Sequence, residues 1–226
     1  GQVRWYKRPT PGHTYMVSLD PAMGTGGDYA AIQIFELPTF DQIGEWRHNT
    51  TPMNQQVRIL QGINKHIHDA IIEKDSTATP QIFYSMENNT IGEAALMRVM
   101  DMGEENIMGM FLSEPIRKGH RRKFRRGFNT TAKFKIDACT KFKELVESGK
   151  MKINSQLLIS ELKDFVATGM SYKAKPGQHD DLVSACLLMT RMMKVLADFD
   201  PKIFEKWTDR SSELTTPMPI FANLYG

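Results

Sequence analysis

The 226-residue chain has little with which to cross a membrane or to staple itself together. No apolar run approaches the ~20 residues that a membrane-spanning helix needs, and no secretory leader heads the chain, so no membrane association is expected. Only two cysteines occur, Cys139 and Cys186. Both fall inside helical patterns and read as small core residues, which leaves no disulfide framework and fits a reduced, cytosolic setting. Histidine forms no useful constellation either. His13, His48, His66, His68, His120 and His179 make no Ser/His/Asp or Cys/His arrangement, and His66 and His68, two apart on a helix, point to different faces. The net charge is only +3, so a global basic signal for a polyanion is weak. No internal repeat or low-complexity tract is present.

An apolar fraction of 41% is enough for a sizeable core, and the length suits one large domain or one domain with an appendage. Residues 1–13 read as a polar and aromatic lead-in, 14–199 as the domain and 200–226 as a C-terminal tail with a late apolar patch, Pro217–Phe221. The opening reads as a start inside a longer protein. The chain is organised around Tyr15–Phe35, YMVSLDPAMGTGGDYAAIQIF. Its composition predicts a strand near 14–20, a turn built on Gly24, Gly26 and Gly27, and a second strand near 29–37. A short third strand at 43–49 completes an antiparallel meander. Thr50 or Thr51 is placed to cap a helix over 53–73 with Pro52 in its first turn, its apolar stripe being Val57, Leu60, Ile63 or Asn64, Ile67 and Ile71. Gln81–Glu87 predicts a fourth strand, 91–102 a helix and Asn106–Leu112 a buried, Met-rich fifth strand parallel to the fourth. Thr130 or Thr131 would cap a helix ending at Gly149, with Ile136, Cys139, Phe142 or Lys143, and Val146 inward. Lys150–Asn154 suggests an edge strand, Ser155 caps a helix to about 165, and Met170–Lys173 suggests a last short strand. A helix opens at Gln178–Ala185 and runs to about 196. The order describes an α/β layer fold with a mixed central sheet.

Charge is concentrated rather than spread. Arg117, Lys118, Arg121, Arg122, Lys123, Arg125 and Arg126 put seven positive charges in ten residues with no acid among them, and Phe124 interrupts the run. A solvated loop is the plain reading. Like charges at that density repel unless a polyanion offsets them, which favours contact with a phosphate backbone.

Three separated carboxylate positions carry the chemistry. Asp20 and Glu87 stand at the ends of predicted strands, and Asp180 and Asp181 in the first turn of a predicted helix. Asp20 before Pro21 also suits a simple turn, and an acidic pair at a helix start also complements the helix dipole. The dipole does not account for Asp181 abutting the core-facing Leu182 and Val183. If the strands are neighbours and the helix crosses their ends, three acids meet. Such oxygen donors favour Mg²⁺ or Mn²⁺ over Zn²⁺, and three or four carboxylates can hold two ions roughly 4 Å apart. His179 is placed to orient a water or a carboxylate.

SLDPAMGTGGDYAA, YSMENNT and GQHDDLVSA, in that order and spacing, resemble the three acidic motifs of the nuclease domain of tailed-phage terminase large subunits. GFNTTAKFKIDACTKFKELVESGKMKI between them is similar as well, and the likeness spans about residues 14–197. The resemblance implies an RNase H-like, resolvase-type fold and metal-dependent cleavage of concatemeric double-stranded DNA during viral genome packaging. It implies Asp20, Glu87 and Asp181 as catalytic acids and metal ligands, Asp180 as a fourth ligand or a supporting residue, Asp28 as a further acid of the first motif, and two Mg²⁺ or Mn²⁺ ions. It implies as partners DNA, an ATPase domain of the same full-length protein, the portal and the small terminase subunit, in the host cytoplasm. No G-x-x-x-x-G-K-S/T loop exists, so the chain is expected to be the nuclease part alone. Asn54 stands near where some relatives carry a histidine. Rival readings are an actin-like phosphotransferase, suggested by Asp20 and GTGG; a non-catalytic module binding DNA or the portal; and a resolvase-like nuclease of the same fold.

Overall fold

The computed structural model describes residues 2–115, 126–169 and 171–199. The elements in chain order are β1 (Arg4–Trp5), β2 (Thr14–Asp20), β3 (Ala30–Leu37), β4 (Asp41–His48), α1 (Met53–Lys74), β5 (Gln81–Met86), α2 (Thr90–Met102), β6 (Met110–Phe111), α3 (Ala132–Glu147), α4 (Gln156–Asp164), β7 (Phe165–Thr168), β8 (Ser171–Ala174) and α5 (Asp181–Phe199). Six strands form a mixed sheet in the order β1-β4-β3-β2-β5-β6, and β7 and β8 form a separate hairpin. The meander β2-β3-β4 is antiparallel; β5 and β6 add in parallel beyond β2, each after a helix, as parallel pairing requires. Among the described residues, no helix is long and apolar enough to cross a membrane.

Alternation along the strands sorts side chains onto two covered faces. Tyr15, Val17, Leu19, Ile32 and Ile34 share a core with Leu60 and Ile67 of α1 and Ala95 and Val99 of α2. Met16, Ala31 and Phe35 face the other way, onto Phe142 of α3, Leu158 of α4 and Leu182, Val183 and Met189 of α5. Helices on both faces explain why β2 and β3 read as nearly continuous apolar runs rather than as alternating ones. The same pleat puts Ser18 and Asp20 on the α5 side. Ser18 donates to the Ala185 carbonyl at 2.7 Å and so ties β2 to α5 through a buried contact.

Several local expectations are corrected. The fifth strand is only Met110–Phe111, because Gly103 and Gly109 take φ of +83° and +103° around a 3-10 turn at Glu104–Asn106. Methionine there does not mean burial, since Met108 and Met110 are 40% and 61% exposed. No threonine caps α1. Pro52 is its N-cap residue without a side-chain bond, and the Thr51 hydroxyl pairs with His48 Nδ1 at 2.7 Å. In α3 the buried residues are Ala138, Phe142 and Leu145, with Cys139 and Val146 only partly covered. Lys150–Asn154 makes a single bridge, Lys152 with Asp41, and no strand. Thr131 and Ser155 do cap α3 and α4, accepting from Phe134 N at 3.3 Å and Leu158 N at 2.9 Å.

Candidate active site

Asp20 ends β2 and Glu87 follows β5. These strands are parallel neighbours, with Leu19 opposite Met86 and the Glu87 amide donating to the Leu19 carbonyl at 3.1 Å. The two acids therefore emerge side by side at one end of the sheet, with their carboxyl groups close enough to interact directly. Burial, then the charge and hydrogen bond of Glu87, then Asp181 and Asp180, hold the Asp20 carboxyl well above the usual range. Like charges gathered this closely need a proton or a cation to offset them.

Local structure fixes both acids. After Asp20 the chain is clamped by Gln56, fully buried on α1: its Nε2 donates to the carbonyls of Ala22 at 2.7 Å and Thr51 at 2.8 Å, and its Oε1 accepts from the Ala22 amide at 3.3 Å. Gly24, at φ +73°, sits where a Cβ would lie 2.3 Å from the Thr51 carbonyl oxygen. That glycine serves a close approach to Thr51. On the Glu87 side, Asn89 caps α2 by accepting from Gly92 N at 2.7 Å while its Nδ2 donates to Glu87 Oε2 at 3.2 Å. A Cβ on Gly92 would fall 1.8 Å from the Glu87 carbonyl oxygen, so only glycine lets α2 start so near the acid.

Asp181 is the first residue of α5 and is 13% exposed. The Tyr29 amide lies close enough to favour its charged form. Its Oδ2 is buried without a hydrogen-bond partner; His179 Nδ1 stands 3.6 Å away. Its pKa is pushed up to about 6, mainly by burial, opposed by His179 and reinforced by Asp180 and Asp28. Asp28 is exposed in the glycine turn. Asp180 lies one residue ahead of α5, not in its first turn, and Oδ2 accepts from the Ala174 amide at 3.1 Å with Lys135 Nζ at 3.8 Å. Among the described residues, no three Asp, Glu, His or Cys side chains are gathered tightly enough to hold a metal ion in this arrangement.

Sequence reasoning missed a second tier of residues. Glu161 of α4, 6% exposed, accepts from the Leu182 and Val183 amides at 2.8 and 3.2 Å and pairs with Arg47 Nη1 at 2.5 Å. Burial raises the Glu161 pKa, against the pull of Arg47 and the Val183 amide. The Arg47 guanidinium lies 4.2 Å from the Tyr29 ring centroid, and Tyr29 meets His179 edge-on at 4.8 Å. These links join positions far apart in the chain, and periodicity carries no trace of them. Asn89 was missed as well, although an Asn three residues ahead of Gly92 at a helix start carries the signal of a cap.

Of the basic run, Arg117, Lys118, Arg121, Arg122, Lys123 and Arg125 lie outside the described residues. Arg126 is paired with Glu104 and lies over the Phe111 ring. The described flanks return to the acids. Glu114 N donates to the Gly127 carbonyl at 3.1 Å, Asn88 N to the Phe128 carbonyl at 2.7 Å, and Phe128 bridges Glu87. Arg191 of α5 ties these flanks down, bonding Glu114 and the Asn129 carbonyl and stacking on Phe128 and Phe134.

The donors suit a hard divalent cation: oxygen only, two carboxyl groups crowded together, and a buried carboxylate oxygen left unpartnered. Solved structures support the fold. The chain is similar to the large terminase nuclease from thermophilic phage G20c, at 17% identity over 84% of this chain and 88% of that one, TM-score 0.62. It is similar to the large terminase nuclease domain of Thermus phage P74-26, at 17% identity over 84% of each chain, TM-score 0.59. It is also similar to the human cytomegalovirus terminase nuclease domain, at 15% identity over 80% of this chain and 82% of that one, TM-score 0.54. The mixed sheet with helices on both faces is thus the RNase H-like fold, as the sequence motifs implied. Residues 17–192 match the family model described as the terminase RNaseH-like domain, and the chain belongs to that family.

Proposed function

We propose that this chain is a divalent-metal-dependent endonuclease that hydrolyses phosphodiester bonds of double-stranded DNA, the nuclease part of a terminase large subunit cutting concatemeric DNA during genome packaging. The observation that carries the reading is the Asp20–Glu87 carboxyl pair beside Asp181, whose Oδ2 is buried and unpartnered. Asp20, Glu87 and Asp181 would hold Mg²⁺ or Mn²⁺, with Asp180 and Asp28 adding negative potential. Two ions are the stoichiometry this reading favours. Relatives of the same fold have been solved with bound magnesium, in the G20c nuclease, and after manganese soaking, in the cytomegalovirus domain. A bound divalent ion supplies an activated water and offsets charge on the phosphate.

The chain's own residues do the positioning. Register on β2 and β5 fixes Asp20 and Glu87, and Asn89 orients the Glu87 carboxylate. His179, 44% exposed at the rim, is close enough to Asp181 to steady that carboxylate or a water beside it. Both flanks of the basic run leave the fold beside Glu87, so Arg117, Lys118, Arg121, Arg122, Lys123 and Arg125 would grip the DNA backbone next to the cutting site, giving salt-dependent and largely sequence-independent affinity. The ATPase domain, portal and small subunit belong to the same proposal as partners of the whole protein.

A second reading, a DNA- or portal-binding module without catalysis, draws on the observation that no three candidate ligands are gathered tightly among the described residues. Plasmid cleavage decides. The purified chain with Mg²⁺, with Mn²⁺ and with chelator is compared with Asp20→Asn. Metal-dependent nicking and linearisation, lost in the variant, is the expected outcome. DNA binding without cleavage under any metal would leave the binding module standing and remove the nuclease.

A further inference from the structure

The register of the sheet runs one row from the acids to a half-buried cation. Asp20 pairs with Ala31, and Ala31 pairs with Arg47, so Asp20, Ala31 and Arg47 follow one another across three strands on the α5 face, with Glu87 just past the end of the neighbouring β5. Ala31 is small and fully buried, and it packs with Leu182 and Val183, which lets the start of α5 settle over the row. The first amides of a helix have no acceptor within the helix. Here Leu182 N and Val183 N find theirs in Glu161, 21 and 22 residues back on another helix, and that carboxylate is neutralised by Arg47. Arg47 also stacks on Tyr29, whose amide lies beside Asp181.

We infer that the Arg47–Glu161 ion pair positions Asp181: it locks the first turn of α5 and the Tyr29 ring to the strand row that carries Asp20, and so sets the spacing of the third acid from the other two. Glu161 and Arg47 are positioning residues, acting through Leu182, Val183 and Tyr29 rather than on substrate. The inference rests on the nuclease reading of Asp181. A plain helix anchor would hold stability alone. A positioning device sets metal affinity and turnover as well, and partners that orient a metal ligand are typically worth about 10- to 100-fold in either.

The test compares Glu161→Ala with Glu161→Gln, which keeps a carbonyl oxygen for the two amides. Three quantities are read well below the melting temperature: Mn²⁺ affinity by electron paramagnetic resonance, kcat and KM for plasmid cleavage, and hydrogen exchange of the Leu182 and Val183 amides. Glu161→Ala is expected to lose about 10-fold or more in Mn²⁺ affinity and kcat with KM for DNA unchanged, and Glu161→Gln to recover most of both. A folded Glu161→Ala protein with wild-type Mn²⁺ affinity and kcat, altered only in melting temperature, overturns the inference. Should Glu161→Ala not fold, Arg47→Lys keeps the charge but loses the fork and the stack on Tyr29; an unchanged kcat there overturns it equally. If the wild-type chain neither binds Mn²⁺ nor cuts, the nuclease reading has failed instead. The anchor is then judged by exchange alone: faster exchange at Leu182 and Val183 in Glu161→Ala, restored in Glu161→Gln, supports it, and unchanged exchange sinks it.

Discussion

Asp20 and Glu87 arrive at the site by backbone register, whereas Asp181 arrives by side-chain contact. The first two need only that β2 and β5 pair in parallel, with Leu19 opposite Met86. Asp181 needs α5 to start in one place, and that start is held by Glu161 and Arg47 from two other elements. Strand-held groups inherit the rigidity of a sheet buried on both faces. A helix-held group inherits whatever its anchors provide, so the third acid is the adjustable member of the trio.

The most severe way to break the comparison is to neutralise one acid of each kind. Asp20→Asn and Asp181→Asn should each lower kcat by roughly 10³-fold or more, about 4 kcal/mol of transition-state stabilisation, without loss of the fold. Circular dichroism beside the cleavage assay checks this. Equal losses mean that both routes deliver indispensable ligands. A near-normal Asp181→Asn would leave Glu87 and Asp20 as the working centre and reduce α5 to a cover.

Next in size is a backbone change on the strand-held side. Gly92→Ala would set a Cβ 1.8 Å from the Glu87 carbonyl oxygen, a contact that only movement of α2 or of Glu87 relieves. A destabilisation of about 2–4 kcal/mol is expected, the range of severe local disruption. Urea unfolding measures it. Alanine tolerated at wild-type stability would show that the Glu87 end of β5 is looser than its register suggests.

The same division explains what the sequence could disclose. Asp20 and Glu87 were legible because a carboxylate ending an apolar strand breaks a local pattern, and the order of strands and helices implied a mixed sheet. Asp181 was legible beside Leu182 and Val183. Its support was not: Glu161 reads as an ordinary polar residue of an amphipathic helix, and Arg47 as one more charge on a short polar strand. Only the fold shows that they meet across 114 positions of sequence separation. Gln56 is hidden in the same way, a polar residue of α1 that proves fully buried because Ala22 and Thr51 present it with backbone groups. The expected strand at Asn106–Leu112 is present and parallel to β5 but shortened to Met110–Phe111, for a different reason. Apolar content suggested its length, while Gly109 at positive φ stops it short.

A smaller effect follows from the raised pKa of Asp181, about 6 in the fold against an ordinary 3.8. Between those values the folded chain holds more protons than the unfolded one, so stability falls as pH rises through that window and the penalty is fully developed above about pH 6. In chelator, the wild-type chain should lose about 1–3 kcal/mol relative to Asp181→Asn between about pH 4 and about pH 7. Mn²⁺ should return that stability above about pH 6 and little of it near pH 4, since a ligating carboxylate must be deprotonated. Parallel melting curves for the two proteins would expose the reverse trend at once if Asp181 were instead an ordinary ionised helix-start residue.

The smallest expected effect sharpens the comparison most, because it touches a strand-held acid through a side chain. Asn89 both caps α2, through Gly92 N, and donates to Glu87 Oε2 at 3.2 Å. Asn89→Ala should cost about 1 kcal/mol of stability, the usual value of an N-cap. Asn89→Asp separates the two contacts, since it retains an acceptor for Gly92 N but turns the donor facing Glu87 into a second negative charge. If register alone fixes Glu87, Asn89→Ala will cut nearly as fast as wild type and Asn89→Asp will differ only through charge. A fall of several-fold in kcat for Asn89→Ala, with KM for DNA and the melting temperature moving no more than a lost cap explains, would mean that Glu87 also depends on an orienting side chain. The two kinds of acid would then differ in degree, with Asn89 doing for Glu87 a lesser version of what Glu161 and Arg47 do for Asp181.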